Sequence, residues 1–180
     1  RGYQGKDGLS GDPNKIMATA KHYAGYSETI GGRDASEADL SKRKLLSYFL
    51  PQFQKACEAG CGSYMTGYQS IDGLPSTVNK WLLREVLKEQ WGFEGLLVTD
   101  WYNVGYLVHS QKICKDFEEA AAISIEAGND MIMATPEFYD GCLKAIKSGK
   151  LDMKYVDEAC ERILRMKFKL GLFEDDREPD

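Results

Sequence analysis

Gly95-Leu-Leu-Val-Thr-Asp100-Trp101 reads as a strand buried on both faces that ends in a carboxylate. Leu96, Leu97 and Val98 form an apolar run without a charge, the pattern of a strand covered on both sides by helices. An aromatic residue follows Asp100 directly, and a helical pattern resumes soon after. In α/β proteins the C-terminal ends of buried parallel strands carry the chemistry. A lone Asp there is therefore the first candidate for a functional group.

The rest of the chain alternates in the way such a strand requires. Residues 1–14, rich in Gly, Asp and Pro, read as a loop. A short strand is expected over 16–20, running straight into Lys21 and His22, and a glycine-containing loop over 23–34. Leu45, Leu46, Phe49, Leu50 and Phe53 then fall on one helical face. Ser41 suits its N-cap, Pro51 forces a kink or opens a second short helix, and Gly60 ends it. A second strand is expected over 63–68, followed by a turn-rich loop over 69–77. Asn79 caps a helix with Trp81, Leu82, Val86 and Leu87 inward, closing near Gly92. The third strand covers 96–99. Asp116-Phe-Glu-Glu119 resembles a capping box opening a helix over Phe117–Ala127. A fourth short strand is expected over 130–133, then a helix from Thr135-Pro136 to Gly149. Asp152 caps a last helix over 153–170, with Val156, Ala159, Ile163, Met166 and Phe168 among its apolar positions.

Strand and helix at this spacing argue for an α/β fold with a parallel sheet of right-handed βαβ units. Four such units would form a small open sheet or part of an eight-stranded barrel. The polar residues discriminate between them. Lys21-His22, Tyr68 and Asp100-Trp101 each follow a strand, and in a barrel those ends share one mouth. A partial (β/α)8 TIM-type barrel would gather them in one pocket, whereas an open sheet would spread them along a crevice.

The totals exclude several classes. The 180 residues carry a net charge of -5 and no basic stripe, so no nucleic-acid partner is expected. The apolar runs fall short of a membrane span. Five cysteines without a Cys-x-x-Cys pair do not resemble a disulfide framework. Reduced thiols in a cytoplasmic protein are the simplest reading. The chain opens on Arg1 and reads as mid-sequence. His22 and His109 are the only histidines and match no zinc spacing, so no metal is expected. No phosphate loop, Gly-x-Gly-x-x-Gly or Gly-x-Ser-x-Gly occurs, so no nucleotide cofactor is expected and no serine-nucleophile elbow is found.

Each candidate residue also has a plainer role. Asp100 could be a nucleophile, a base or a metal ligand, or simply cap the next helix. Trp101 could stack on a sugar face or pack in the core. Lys21 could form a Schiff base or donate to ligand hydroxyls, or be a surface lysine. His22 could orient a ligand or act as a base, or be a satisfied buried histidine. Tyr68 could donate to the carboxylate or merely be buried.

At these residues the chain resembles a known family. Ala18-Thr-Ala-Lys21-His22-Tyr23-Ala-Gly25, Gly32-Arg33-Asp34, Leu50-Pro51-x-Phe53, Trp91-Gly92-Phe93-x-Gly95 and Val98-Thr99-Asp100-Trp101 are similar to glycoside hydrolase family 3. So is the closing Arg162-Ile-Leu-x-x-Lys167-Phe-x-Leu-Gly-Leu-Phe173. The likeness is greatest to bacterial β-glucosidases and related β-xylosidases. It implies a (β/α)8-type barrel followed by an α/β sandwich domain, and retaining hydrolysis of β-linked, non-reducing terminal sugars.

Carried onto this chain, the resemblance makes Asp100 the nucleophile. Lys21 and His22 bind sugar hydroxyls, Tyr68 sits beside the nucleophile and Trp101 flanks the sugar. Lys21 and Tyr68 are expected to favour the charged form of Asp100. Residues 1–180 would be the C-terminal half of the barrel, with the first half, the sandwich domain and the acid/base outside the chain. The family's N-acetylglucosaminidases carry a second histidine that is missing after Lys21-His22, which disfavours that branch.

A β-glucoside or related oligosaccharide is the implied partner, together with the missing half of the same chain or a homo-oligomer. Alone, such a half would self-associate through its exposed edge and turn over little or no substrate. The rival readings are a non-catalytic half-barrel that binds sugars, and a lyase or aldolase using Lys21.

Overall fold

The chain alternates between short strands and helices, as its apolar pattern requires. A computed structural model describes residues 2–6, 8–9, 12 and 14–174. The loop reading at Arg1, Asp7, Ser10, Gly11 and Pro13 lies outside them. The strands are Thr19–Tyr23 (β1), Glu37–Ala38 (β2), Ser63–Thr66 (β3), Ser70–Ile71 (β4), Leu74–Pro75 (β5) and Leu96–Val98 (β6). The central sheet is parallel in the order β1-β3-β6. A small second sheet joins β2 in parallel to β4, which turns back antiparallel into β5.

Helices follow each central strand. Lys42–Lys44 (α1) widens through a π-turn over Leu45–Phe49 into Leu50–Glu58 (α2), with Pro51 in the first turn of α2, where its missing N–H is harmless. A helix of π type covers Trp81–Gln90. Asn103–His109 (α3), Phe117–Ala127 (α4), Glu137–Lys147 (α5) and Met153–Lys169 (α6) complete the order. The caps form as the sequence implies. Ser41 accepts from the Lys44 N–H at 3.2 Å and Asn79 from Leu82 at 3.1 Å. Asp116 accepts from Glu119 at 2.9 Å, and Asp152 from Lys154 at 3.0 Å. Each such cap stabilises its helix by about 1 kcal/mol.

The main core lies where the sheet meets α2 and the Trp81–Gln90 helix. Tyr23, Tyr64 and Leu97 pack there with Leu82, Leu83, Val86 and Leu87. Each buried leucine contributes about 2 kcal/mol by leaving water. The two buried tyrosines satisfy their hydroxyls on backbone carbonyls, Tyr23 on Leu82 at 3.1 Å and Tyr64 on Phe53. Smaller clusters lie beneath α3, α4 and α5.

A buried ionic layer fastens β6 to the helices behind it. Lys88 meets Asp130 at 2.7 Å, with side chains 4% and 1% exposed. The other Asp130 oxygen accepts the Leu97 N–H at 2.8 Å. Glu158 of α6 bridges Lys88 at 3.4 Å and Arg84 at 2.9 Å. Arg162 reaches Glu158 at 3.5 Å and the Phe93 carbonyl at 2.9 Å. Burial pushes the Asp130 carboxyl up and the Lys88 amine down, and the ion pair opposes both.

Several expectations are corrected. The first strand begins three residues later than its apolar run, so Lys21 and His22 lie inside β1 rather than after it. Ile16, expected within the strand, is exposed. The expected strand over 130–133 is reduced to one bridge, Val98 with Met131. Leu46 and Phe168 face outward instead of into the core. The loop over 23–34 contains two short 3-10 turns, and the loop over 69–77 contains β4 and β5. Two-residue strands have no period to detect. All five cysteines are free thiols. Among the described residues no helix is long and apolar enough to cross a membrane.

Candidate active site

The exits of the three central strands bring four of the five singled-out residues together. β1 carries one residue more than β3 between the pairs Ala20–Tyr64 and Tyr23–Thr66. This bulge contains Lys21 and His22, and bulges re-aim side chains. The Lys21–His22 and Tyr23–Ala24 peptides are cis. Tyr68 lies just past β3, and Asp100 just past β6.

Asp100 is the centre. His22 Nε2 lies 3.2 Å from its Oδ2. The Trp101 N–H donates to Oδ1 at 2.7 Å, and the Tyr68 hydroxyl reaches the same oxygen at 3.1 Å. That hydroxyl has one hydrogen and a second acceptor, the Trp101 carbonyl at 2.9 Å. The Asp100 side chain is 14% exposed, so the carboxylate is sheltered yet reachable. It does not cap the next helix: α3 starts from Tyr102, whose backbone is left-handed.

The neighbours are tuned to remain neutral. Burial lowers the His22 pKa, the Lys21 charge lowers it further, and Asp100 and Asp34 oppose them. A neutral His22 then faces the Asp100 carboxylate across 3.2 Å as an uncharged imidazole rather than as a cation. Burial, and then the hydrogen bond to Asp100, raise the Tyr68 pKa well above its ordinary value. Tyr68 thus keeps its proton and serves as a donor.

Two of the residues stand at the rim. Trp101 is 66% exposed, which excludes core packing. The Tyr102 ring holds the neighbouring turn: a Cβ on Gly105 would come within 2.3 Å of it, so only glycine admits the ring there. Lys21 is exposed and makes no ion pair with Asp100; its influence is felt at His22.

The structure adds residues that the sequence pattern did not single out. The Tyr26 ring lies against His22, centroids 4.5 Å apart. Its phenol pKa is raised, first by a hydrogen bond to Asp34. Tyr26 belongs to a short 3-10 turn within a glycine-rich segment, where no periodicity marks it. Asn103, fully buried at the start of α3, donates to the Gly67 carbonyl at 3.1 Å. Among the described residues no group of three or more His, Cys, Asp or Glu side chains could hold a metal ion.

A parallel sheet flanked by helices, with a carboxylate held by neutral donors at its strand exits, defines an α/β protein with one polar centre. Residues 1–166 match the family described as the Glycosyl hydrolase family 3 N terminal domain. The chain belongs to that family.

Among curated relatives, a beta-xylosidase of Formosa agariphila is 39% identical over 96% of this chain and 25% of its own length. A periplasmic beta-glucosidase of Salmonella typhimurium is 35% identical over 91% of this chain and 21% of its own. Among solved structures, a beta-glucosidase involved in saponin metabolism from intestinal bacteria superposes with a TM-score of 0.93 at 54% identity. That match covers 99% of this chain and 24% of the other. This chain spans about a quarter of the length of the relatives it matches.

Proposed function

We propose that this chain carries the nucleophile's half of the active site of a retaining, exo-acting glycosidase. Its substrates are β-linked, non-reducing terminal sugars, with β-glucosides first among them. The observation that carries this reading is Asp100, sheltered at a strand exit and held by His22, Tyr68 and the Trp101 N–H. The relatives named above are β-glucosidases and a β-xylosidase, which agrees with it.

The chemistry follows from the geometry. An Asp100 oxygen attacks the anomeric carbon and forms a C–O bond as the glycosidic C–O bond breaks. An acid carboxyl gives its proton to the leaving oxygen. Water then attacks the same carbon, returns a proton to that carboxylate and frees Asp100. Oδ1 accepts the Trp101 N–H and shares the Tyr68 proton with the Trp101 carbonyl, whereas Oδ2 has the neutral His22 at 3.2 Å and no hydrogen bond from a described residue. Oδ2 is therefore the oxygen better able to attack. His22 and Tyr68 hold the carboxylate in place, Lys21 and His22 meet sugar hydroxyls, and Trp101 offers a flat face to the sugar.

The second carboxyl of a retaining pair stands about 5–5.5 Å from the first. Asp34, which influences both His22 and Tyr68, is engaged by the Tyr26 phenol. In this reading the acid/base comes from outside the 180 residues. The same reading makes this sheet a set of four β/α units in the second half of a (β/α)8 barrel. The β1-β3-β6 order and the Val98–Met131 bridge support it.

The test is chemical rescue in the full natural polypeptide. Asp100→Ala should abolish hydrolysis of an activated aryl β-glucoside. Added azide should restore turnover and yield the α-glycosyl azide. Hydrolysis that survives the substitution, or a β-azide product, would overturn the reading.

A further inference from the structure

Three carboxamide side chains cross the strand exits, and each uses its NH2 group on a backbone carbonyl. Gln69 donates to Ala24 at 2.6 Å, tying the exit of β3 to that of β1 just past His22. Asn103 donates to Gly67 at 3.1 Å, with Thr66 Oγ1 at 3.5 Å. Gln111, just past α3, donates to the Tyr68 carbonyl at 3.0 Å. The amide oxygens of all three are buried without a protein partner, so the NH2 end is what fixes each side chain. Gln69 and Asn103 are fully buried, and a Cβ on Gly67 would lie 2.2 Å from the Gln69 oxygen. α3 adds the Tyr106 ring, 5.4 Å from the Tyr68 ring.

We propose that Gln69, Asn103 and Gln111 are positioning residues, a clamp that fixes Tyr68 and His22 relative to Asp100. The links join the segment after Asp100 to the segment bearing Tyr68, and that segment to the end of β1. They reinforce the Gly67 N–H bond to the Tyr23 carbonyl at 3.2 Å and the reach of the Tyr68 hydroxyl to the Trp101 carbonyl, in segments that as loops are otherwise more mobile than the strands that launch them. The 3.1 Å contact of Tyr68 with Asp100 is the distance they set. This inference rests on the reading of Asp100 as nucleophile.

The test is a double-mutant cycle in the full natural polypeptide, using an aryl β-glucoside and a thermal melt for every variant. Gln111 is the position of choice because it is only half-buried. Gln111→Met should lower kcat/KM about tenfold, since small misplacements near the reacting atoms are costly, while the melting temperature barely moves. In a Tyr68→Phe background the same substitution should have little further effect, because the amide acts through that hydroxyl. Gln111→Glu keeps the shape and removes the donor, and carries the test should Gln111→Met fold poorly. Losses of equal factor in both backgrounds, or no loss at all, would overturn the clamp. Asp100→Asn, assayed alongside, separates the two claims. Full activity there overturns the nucleophile reading, whereas an inactive Asp100→Asn with additive losses overturns the clamp alone.

Discussion

Asp100 lies just past the end of β6 and Asp130 alongside it at Leu97, and the two have opposite fates. Asp130 is 1% exposed and bound to a cation, with its second oxygen used on the Leu97 N–H. Asp100 is 14% exposed and has no cation beside it: a phenol and a backbone N–H donate to it, and a neutral histidine lies 3.2 Å away. A carboxylate paired with lysine in a dry interior is committed to holding elements together. A carboxylate held by neutral donors beside solvent keeps its charge available for a ligand. The contrast separates a fastening from the proposed reacting group within one sheet.

The largest expected effect bears on the reacting side. Asp100→Asn should lower turnover of an aryl β-glucoside at least about a thousandfold, with the unfolding midpoint nearly unchanged. Steady-state kinetics and a denaturant melt read both quantities.

On the fastening side the pattern inverts. Lys88→Met strands the buried Asp130 charge and should destabilise the fold by about 3–5 kcal/mol. Combining it with Asp130→Asn should recover much of that loss, because the amide oxygen still accepts the Leu97 N–H. Chemical denaturation of the single and double variants measures the recovery. Equal stability of the two variants would remove Asp130 from its fastening role.

A smaller effect tests the neutrality of His22. Its pKa is depressed in the folded state, so the unfolded chain binds the proton more readily. The stability it contributes is present above the ordinary histidine value, about 6.5, and is lost as pH falls through the depressed folded value. His22→Gln cannot titrate. The variant should lose less stability than the wild type between pH 7.5 and the acid side of that window. Matching unfolding curves for the two proteins across that range would contradict it.

The smallest stability effect belongs to Trp101. Because it is largely exposed, Trp101→Ala should shift stability by no more than about 0.5 kcal/mol. It should raise KM severalfold if the ring flanks the sugar.

The same comparison explains what the sequence disclosed. Asp100 and the helix caps are written locally: an apolar run that ends, or a Ser, Asn or Asp just before a periodic stretch. They appear where the pattern puts them. The fastening side is written across the chain. Lys88 and Asp130 are 42 positions apart, and Lys88 and Glu158 are 70. In the sequence Asp130 reads as the start of a strand, and in the structure its carboxylate takes the Leu97 N–H that a strand would have bonded. Lys21 and His22 read as following a strand because the apolar run 16–20 precedes them. The bulge that draws them into β1 depends on the register with β3, which one segment cannot specify. Tyr26 and the three carboxamides carry no periodic signal, and only the meeting of three strand exits gives them a role.

In the proposed mechanism Asp100 forms the bond to the sugar. The most direct measurement is peptide mapping by mass spectrometry after the full natural polypeptide is incubated with an activated 2-deoxy-2-fluoro-β-glucoside. That probe forms the glycosyl-enzyme quickly and releases it slowly. One fluoroglucosyl adduct is expected, on the peptide bearing Asp100, formed as activity is lost. An adduct on another carboxylate, or inactivation without any adduct, would contradict it.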